Sequence, residues 1–148
     1  MPFANAAGYA RDVTAAEAYE TLRNEATSRL IDVRTKAEWI YVGAPLLEDL
    51  GRSPFFLEWQ IFPSMAVDPA FCERLVEMLD AADVNQGAKL FFICRSGGRS
   101  RQAAIAMTNA GWGPCFNVVD GFEGPLDSKR HRGAAGGWKA AGLPWIQT

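Results

Sequence analysis

Short apolar runs recur along the chain, closed by polar or glycine-rich residues and separated by stretches with apolar positions at helical spacing. Thr14-Ala15-Ala16-Glu17 has the spacing of a capping box and predicts a helix start ahead of residues 18–23. Residues 29–33 read as a strand ended by Arg34-Thr35-Lys36, and residues 37–40 as a short helical turn. Asp68-Pro69 reads as an N-cap and first helical residue. The helix after it places Phe71, Leu75, Val76, Met78 and Leu79 on one face. Residues 89–93 predict a central strand, residues 100–109 a helix stopped by Gly111, and residues 116–119 a further strand ended by Asp120-Gly121. The glycine-rich tail offers Trp138, Leu143, Pro144 and Trp145 as anchors.

Short apolar strands alternating with helices predict an α/β domain built on a mostly parallel sheet. In such sheets, sites form beyond the carboxyl ends of strands. Asp32, Arg34, Cys94 and Asp120-Gly121 all fall at predicted strand ends. Residues 42–64 are broken by Gly43, Pro45, Gly51, Pro54 and Pro63 and read as an atypical insertion, with residues 55–61 as one strand.

Composition narrows the class. A chain of 148 residues that is 49% hydrophobic and 22% charged is expected to form a single globular domain, with residues 1–12 as an N-terminal extension. A net charge of −2 offers no general attraction to nucleic acid or anionic lipid. No apolar run has transmembrane length, and the first nine residues lack the pattern of a signal peptide. Three cysteines, Cys72, Cys94 and Cys115, make a poor disulfide framework and suit a reducing, cytoplasmic setting. With one histidine, His131, and no Cys-x-x-Cys, neither a metal nor another cofactor is expected.

The chemistry concentrates in Cys94-Arg95-Ser96-Gly97-Gly98-Arg99-Ser100. A thiolate is favoured by nearby positive charge and by a helix N-terminus, and this loop offers both. The glycines let backbone N–H groups turn inward around sulfur or a bound anion. An ordinary core cysteine needs neither the glycine pair nor the two arginines. Cys72 reads as core and Cys115 as inert, a resolving disulfide with Cys94 being its lesser reading. Nothing in the spacing ties His131 to Cys94.

Four residues separate Cys94 from Arg99, one fewer than in cysteine-dependent phosphatases. On this loop the chain resembles the single-domain rhodaneses, a family of sulfurtransferases. Leu30-Ile31-Asp32-Val33-Arg34 with Glu38-Trp39, the run from Asn117 to Gly124, and Gly142-Leu143-Pro144-Trp145 resemble that family's other motifs in order. The resemblance implies a parallel sheet with helices on both faces and a Cys94 persulfide. Sulfur would come from a small anion such as thiosulfate and pass to cyanide, a small thiol or a protein thiol.

Within that scheme Arg95 is expected to hold the donor's oxyanion end, while Arg99 either faces the anion or braces the loop. Ser96 donates to sulfur or shapes the turn; Ser100 braces the loop. Asp32, Arg34 and Gly121 support the site rather than touch substrate, Arg34 pairing with Glu38 four residues on. The family's Gly-His-Ile-Pro-Gly-Ala pattern is replaced by Val42-Gly43-Ala44-Pro45-Leu46-Leu47. Phe55, Phe56, Trp59, Ile61 and Phe62 therefore either pack over the sheet or wall a pocket. The segment from Leu126 to Gly133 reads as an ordinary solvated basic loop or, if near the active face, as one that attracts thiosulfate or an acidic partner. A persulfide carrier, an interaction module without activity, and, further off, a thiol-dependent arsenate reductase or phosphatase are the alternatives.

Overall fold

The structure is a computed structural model describing residues 7–147. Residues 1–6, which carry much of the predicted extension and the segment read for a signal peptide, lie outside the described residues. The chain runs β1 (Arg11–Val13), α1 (Ala15–Asn24), β2 (Arg29–Asp32), α2 (Lys36–Tyr41), β3 (Ala44–Pro45), a 3-10 turn (Glu48–Leu50), β4 (Phe55–Phe56), β5 (Gln60–Ile61) and β6 (Ala66–Val67). It continues through α3 (Phe71–Ala81), β7 (Leu90–Ile93), α4 (Gly98–Asn109), β8 (Cys115–Val118), α5 (Gly137–Ala140) and β9 (Trp145–Ile146).

Five strands form one sheet in the order β1-β8-β7-β2-β4, every neighbour parallel. β7 and β8 are buried at every position because helices cover both faces, which is why β7 reads as an unbroken apolar run and β8 as one broken only by Asn117. One face packs Ile31, Leu90 and Phe92 against Phe71, Leu75 and Leu79 of α3 and Ala103, Ala104 and Met107 of α4. The other packs Leu30, Phe91, Ile93 and Val118 against Ala15, Ala18 and Leu22 of α1 and Trp138 of α5. Each fully buried Leu, Ile or Phe contributes about 1.5–3 kcal/mol. This three-layer α/β arrangement is the predicted class, and all strand carboxyl ends meet on one edge.

The expected capping box forms, and a second one appears. Thr14 and Glu17 start α1, and Thr35 and Glu38 start α2. The carboxylate of Asp120, just past β8, accepts from the N–H groups of Ala15 and Gly137, so it caps α1 and α5.

Several expectations are corrected. The predicted extension is too long: Arg11 and Asp12 pair with Phe116 and Asn117 in the sheet, and Tyr9 is buried. The single strand over 55–61 divides, because β4 adds to the main sheet while β5 turns out and pairs antiparallel with β6. α3 begins at Phe71, not Pro69, and its N-cap is Ala70 rather than Asp68; the Asp68 carboxylate instead closes the preceding turn by accepting from the Ala70 N–H. α4 begins at Gly98, two residues early, since Gly97 already sits in a left-handed conformation at its N-cap.

Candidate active site

Cys94 follows β7 directly, at the carboxyl edge of the sheet. Its carbonyl accepts from the Phe122 N–H at 2.8 Å, and the Arg95 carbonyl accepts from Glu123 and Gly124 N–H, each at 3.1 Å. Tying both carbonyls to the segment after β8 turns the following N–H groups toward the sulfur. The Gly97 N–H accordingly lies 3.2 Å from Cys94 Sγ. Two glycines make this possible. Gly97, at φ +101°, would drive a Cβ into the Val119 carbonyl; Gly121, at φ +66°, would drive one into the Arg95 carbonyl. The first turn of α4 then brings its unpaired N–H groups and its positive dipole end to the same place.

Ser100, not Ser96, is the hydroxyl at the sulfur. Its Oγ lies 3.2 Å from Cys94 Sγ and is buried, whereas Ser96 is exposed on the cleft. Of the two expected roles for Arg99, the structure shows the bracing one. Its guanidinium donates to both carboxylate oxygens of Glu38, at 2.6 and 2.9 Å. Burial pushes the Glu38 carboxyl up, but the Arg99 charge and the Thr35 bonds outweigh it and hold the group below its usual range. Arg99 mirrors this: burial lowers it, and the Glu38 bonds more than restore it.

The expected Arg34–Glu38 pair does not form. Arg34 is fully buried and donates to Asp32 at 2.7 Å and to the Gly43 carbonyl at 2.8 Å, with its guanidinium 4.2 Å over the Phe122 ring. Asp32 thus pairs with an arginine, as one expectation had it, and the pair fastens the end of β2 to the turn before β3. Arg95 is exposed on the cleft, and among the described residues its side chain has no ion-pair partner.

The loop opens into a cleft of about 740 Å³. Glu38, Arg95, Arg99, Glu123 and Arg132 supply its charged groups; Tyr41, Val42, Phe62 and Met65 supply an apolar wall. The aromatic residues of the insertion therefore split. Phe55 and Trp59 pack on the core, Phe56 meets Trp39 edge to face, and Phe62, 58% exposed, faces the cleft. Arg132 also leaves the solvated-loop reading, because it donates to the Gly124 carbonyl and lines the cleft. His131 stays outside it, in a turn held by Asp127.

Sequence reasoning missed Asn117 as a site residue and missed the partner of Glu38. The one available signal for Asn117 was a lone amide inside an otherwise apolar strand. Cys115 lies beside Leu90, the first residue of β7, at the opposite edge from Cys94. Cys72 is half-buried on α3, packed against the core.

Comparison with known proteins gives a consistent result. The rhodanese-like domain family model matches residues 14–126. A crystal structure of Rv0390 from M. tuberculosis superposes with a TM-score of 0.82 at 43% identity, covering 95% of this chain and 99% of that one. The uncharacterized protein RP600 homolog of Rickettsia rickettsii is 35% identical over 135 residues, 91% of this chain and 96% of its own length. Rhodanese-like domain-containing protein 4, chloroplastic, of Arabidopsis thaliana is 25% identical over 134 residues, which make up 25% of that larger protein.

Proposed function

The chain belongs to the rhodanese-like domain family, and on that premise we propose that it is a sulfurtransferase whose carrier is a persulfide on Cys94. The observation that carries this reading is the Gly97 N–H, which donates to Cys94 Sγ at 3.2 Å at the N-terminus of α4.

In the first displacement the Cys94 thiolate attacks the outer sulfur of thiosulfate. A sulfur–sulfur bond forms at Cys94, the sulfur–sulfur bond of thiosulfate breaks, and sulfite leaves with the electron pair. In the second, cyanide or a thiolate takes the outer sulfur, and Cys94 departs as thiolate. Splitting the transfer in two keeps each step a simple displacement. Loop N–H groups stabilise the persulfide anion, and Arg95 is placed to hold the oxyanion end of the donor. A phosphoryl group would need a roomier loop.

Intact-mass measurement tests this directly. Thiosulfate should add one sulfur to the protein, cyanide should remove it, and Cys94→Ser should gain none. A wild-type protein that gains no sulfur from thiosulfate, or from an organic persulfide, overturns the reading.

The size and apolar wall of the cleft favour a second donor class. A small dianion needs little of this volume, whereas an organic or protein-bound persulfide would use Phe62 and Met65. Phe62→Ala should then weaken transfer from an organic persulfide several-fold while leaving thiosulfate unaffected; equal effects on both donors would remove the distinction.

A further inference from the structure

A chain of hydrogen-bonded polar groups, buried at Ser100, Asn117 and Tyr9 and exposed at Asp12, leads away from Cys94, and neither sulfur-transfer step uses it. Cys94 Sγ is 3.2 Å from Ser100 Oγ, and Ser100 Oγ donates to Asn117 Oδ1 at 2.6 Å. Asn117 Nδ2 donates to Asp12 Oδ1 at 3.0 Å, and the Tyr9 hydroxyl donates to the same oxygen at 2.8 Å. Asp12 and Asn117 are register partners on β1 and β8, so their side chains share a face of the sheet.

The direction of each bond is determined from the far end. An ionised carboxylate only accepts, so Asp12 takes the N–H of Asn117 and turns the amide oxygen toward Ser100. Ser100 has one proton, and that oxygen claims it. The sulfur is then left facing a serine lone pair. A neutral thiol completes the chain by donating its S–H to Ser100. A thiolate cannot, and must either go without the hydroxyl or pull it from Asn117, whose buried oxygen would lose its partner.

We propose that Asn117, held by Asp12, is a positioning residue that points the Ser100 hydroxyl away from Cys94 and so favours the resting thiol. When sulfur carries the negative charge, Ser100 must break from Asn117 and turn to it. Once the persulfide forms, the charge sits on the outer sulfur among the loop N–H groups, and Ser100 returns to Asn117. The chain acts as a restraint on a reactive thiol that cleft-side charges alone would leave open. Those charges are Arg95 and Arg99 on the loop and α4, Glu38 on α2, and Glu123 and Arg132 across the cleft; Asp32 at the end of β2 and Arg34 just after it form a buried pair behind the loop. None of them bonds to Asn117.

The pH profile of Cys94 alkylation by iodoacetamide, followed by mass, reads this without requiring sulfur transfer, so its failure is separate from any failure of the proposed function. Asp12 is exposed on an edge strand and tolerates change. Asp12→Ala frees the Asn117 amide to flip, and the profile should move toward acid by roughly half a pH unit to one unit. Asp12→Asn, which loses the charge but keeps an accepting oxygen, should leave it near wild type. In a Ser100→Ala background, Asp12→Ala should have no effect. An unmoved profile in Asp12→Ala, an equal shift in Asp12→Asn, or a shift that persists without Ser100 would each overturn the proposal; the second would assign the effect to charge alone.

Discussion

Cys94 and Cys115 are equally hidden, 1% and 0% exposed, the one directly after β7 and the other opening the adjacent β8, yet the two edges they occupy are chemical opposites. α4 runs between these edges. Its N-terminus, with unpaired N–H groups, lies at Cys94; its C-terminus, the carbonyl end of the helix dipole, leads into the turn before Cys115. Cys94 Sγ is met by the Gly97 N–H, whereas Cys115 Sγ donates to the Trp112 carbonyl at 3.4 Å. Burial pushes the Cys115 thiol up to about 12. Burial alone therefore makes a cysteine inert. Chain direction, which parallel strands impose uniformly, gives the other edge the helix N-terminus and inward N–H groups that a reactive thiolate would need.

The largest expected effect tests that contrast head on. Iodoacetamide at mildly alkaline pH should label Cys94 in the native protein and spare Cys115, of which only about one molecule in ten thousand would be thiolate four units below its titration. Peptide mapping decides it, and comparable labelling at both sites would erase the distinction. The same burial has a stability consequence. The unfolded chain loses the Cys115 proton near 9, the folded chain near 12, so this contribution is complete below pH 9 and is lost as pH rises toward 12. Cys115→Ala should flatten the alkaline arm of the stability curve in urea titrations.

Glycines sharpen the comparison next. Gly121 and Gly111 both have positive φ, +66° and +87°, one near each edge. A Cβ at Gly111 meets nothing within 4 Å, while one at Gly121 overlaps the Arg95 backbone. Gly111→Ala should cost only the backbone strain, about 1 kcal/mol. Gly121→Ala adds displacement of the cysteine loop and should cost about 3 kcal/mol or more, with sulfur loading lost even in the molecules that remain folded. Equal costs at the two positions would show the loop to be more yielding than its packing.

What could be read beforehand follows from how local each signal is. The strand over 89–93, the turn after Cys94 and the helix behind it are contiguous, so the composition of that stretch already specified a thiol in an anion cradle. Thr35-x-x-Glu38 was equally local, a capping box in plain view, but the arginine that shares Glu38 comes from 61 residues away. The Arg34–Glu38 expectation failed because helical spacing was applied to a residue outside the helix: α2 begins at Lys36, and Arg34 turns inward to Asp32. The role of Ser100 over Ser96 depended on where α4 starts. Asn117 depended on strand order, since only the β1–β8 pairing brings Asp12 beside it. Residues 60–67 form a hairpin whose exposed apolar side chains follow no strand alternation, so the cleft wall they build had no pattern to announce it.

The smallest effect concerns Glu38, which belongs wholly to the reactive edge. Its carboxyl titrates lower in the folded chain than in the unfolded one. Its contribution to stability is therefore present above about 4.5 and is lost as pH falls through the folded value. Glu38→Gln should lower Tm by a few degrees at neutral pH, and the wild-type and variant curves should converge in acid. The substitution keeps an acceptor for Thr35 and Arg99 but leaves the Arg99 charge unbalanced beside the cleft. A dianionic donor should then bind more tightly, with KM for thiosulfate falling several-fold and kcat nearly unchanged. A rise in KM with a fall in kcat would mean instead that Glu38 acts by fixing the loop, and that the positive field at this edge comes from the helix end and Arg95 without help from Arg99.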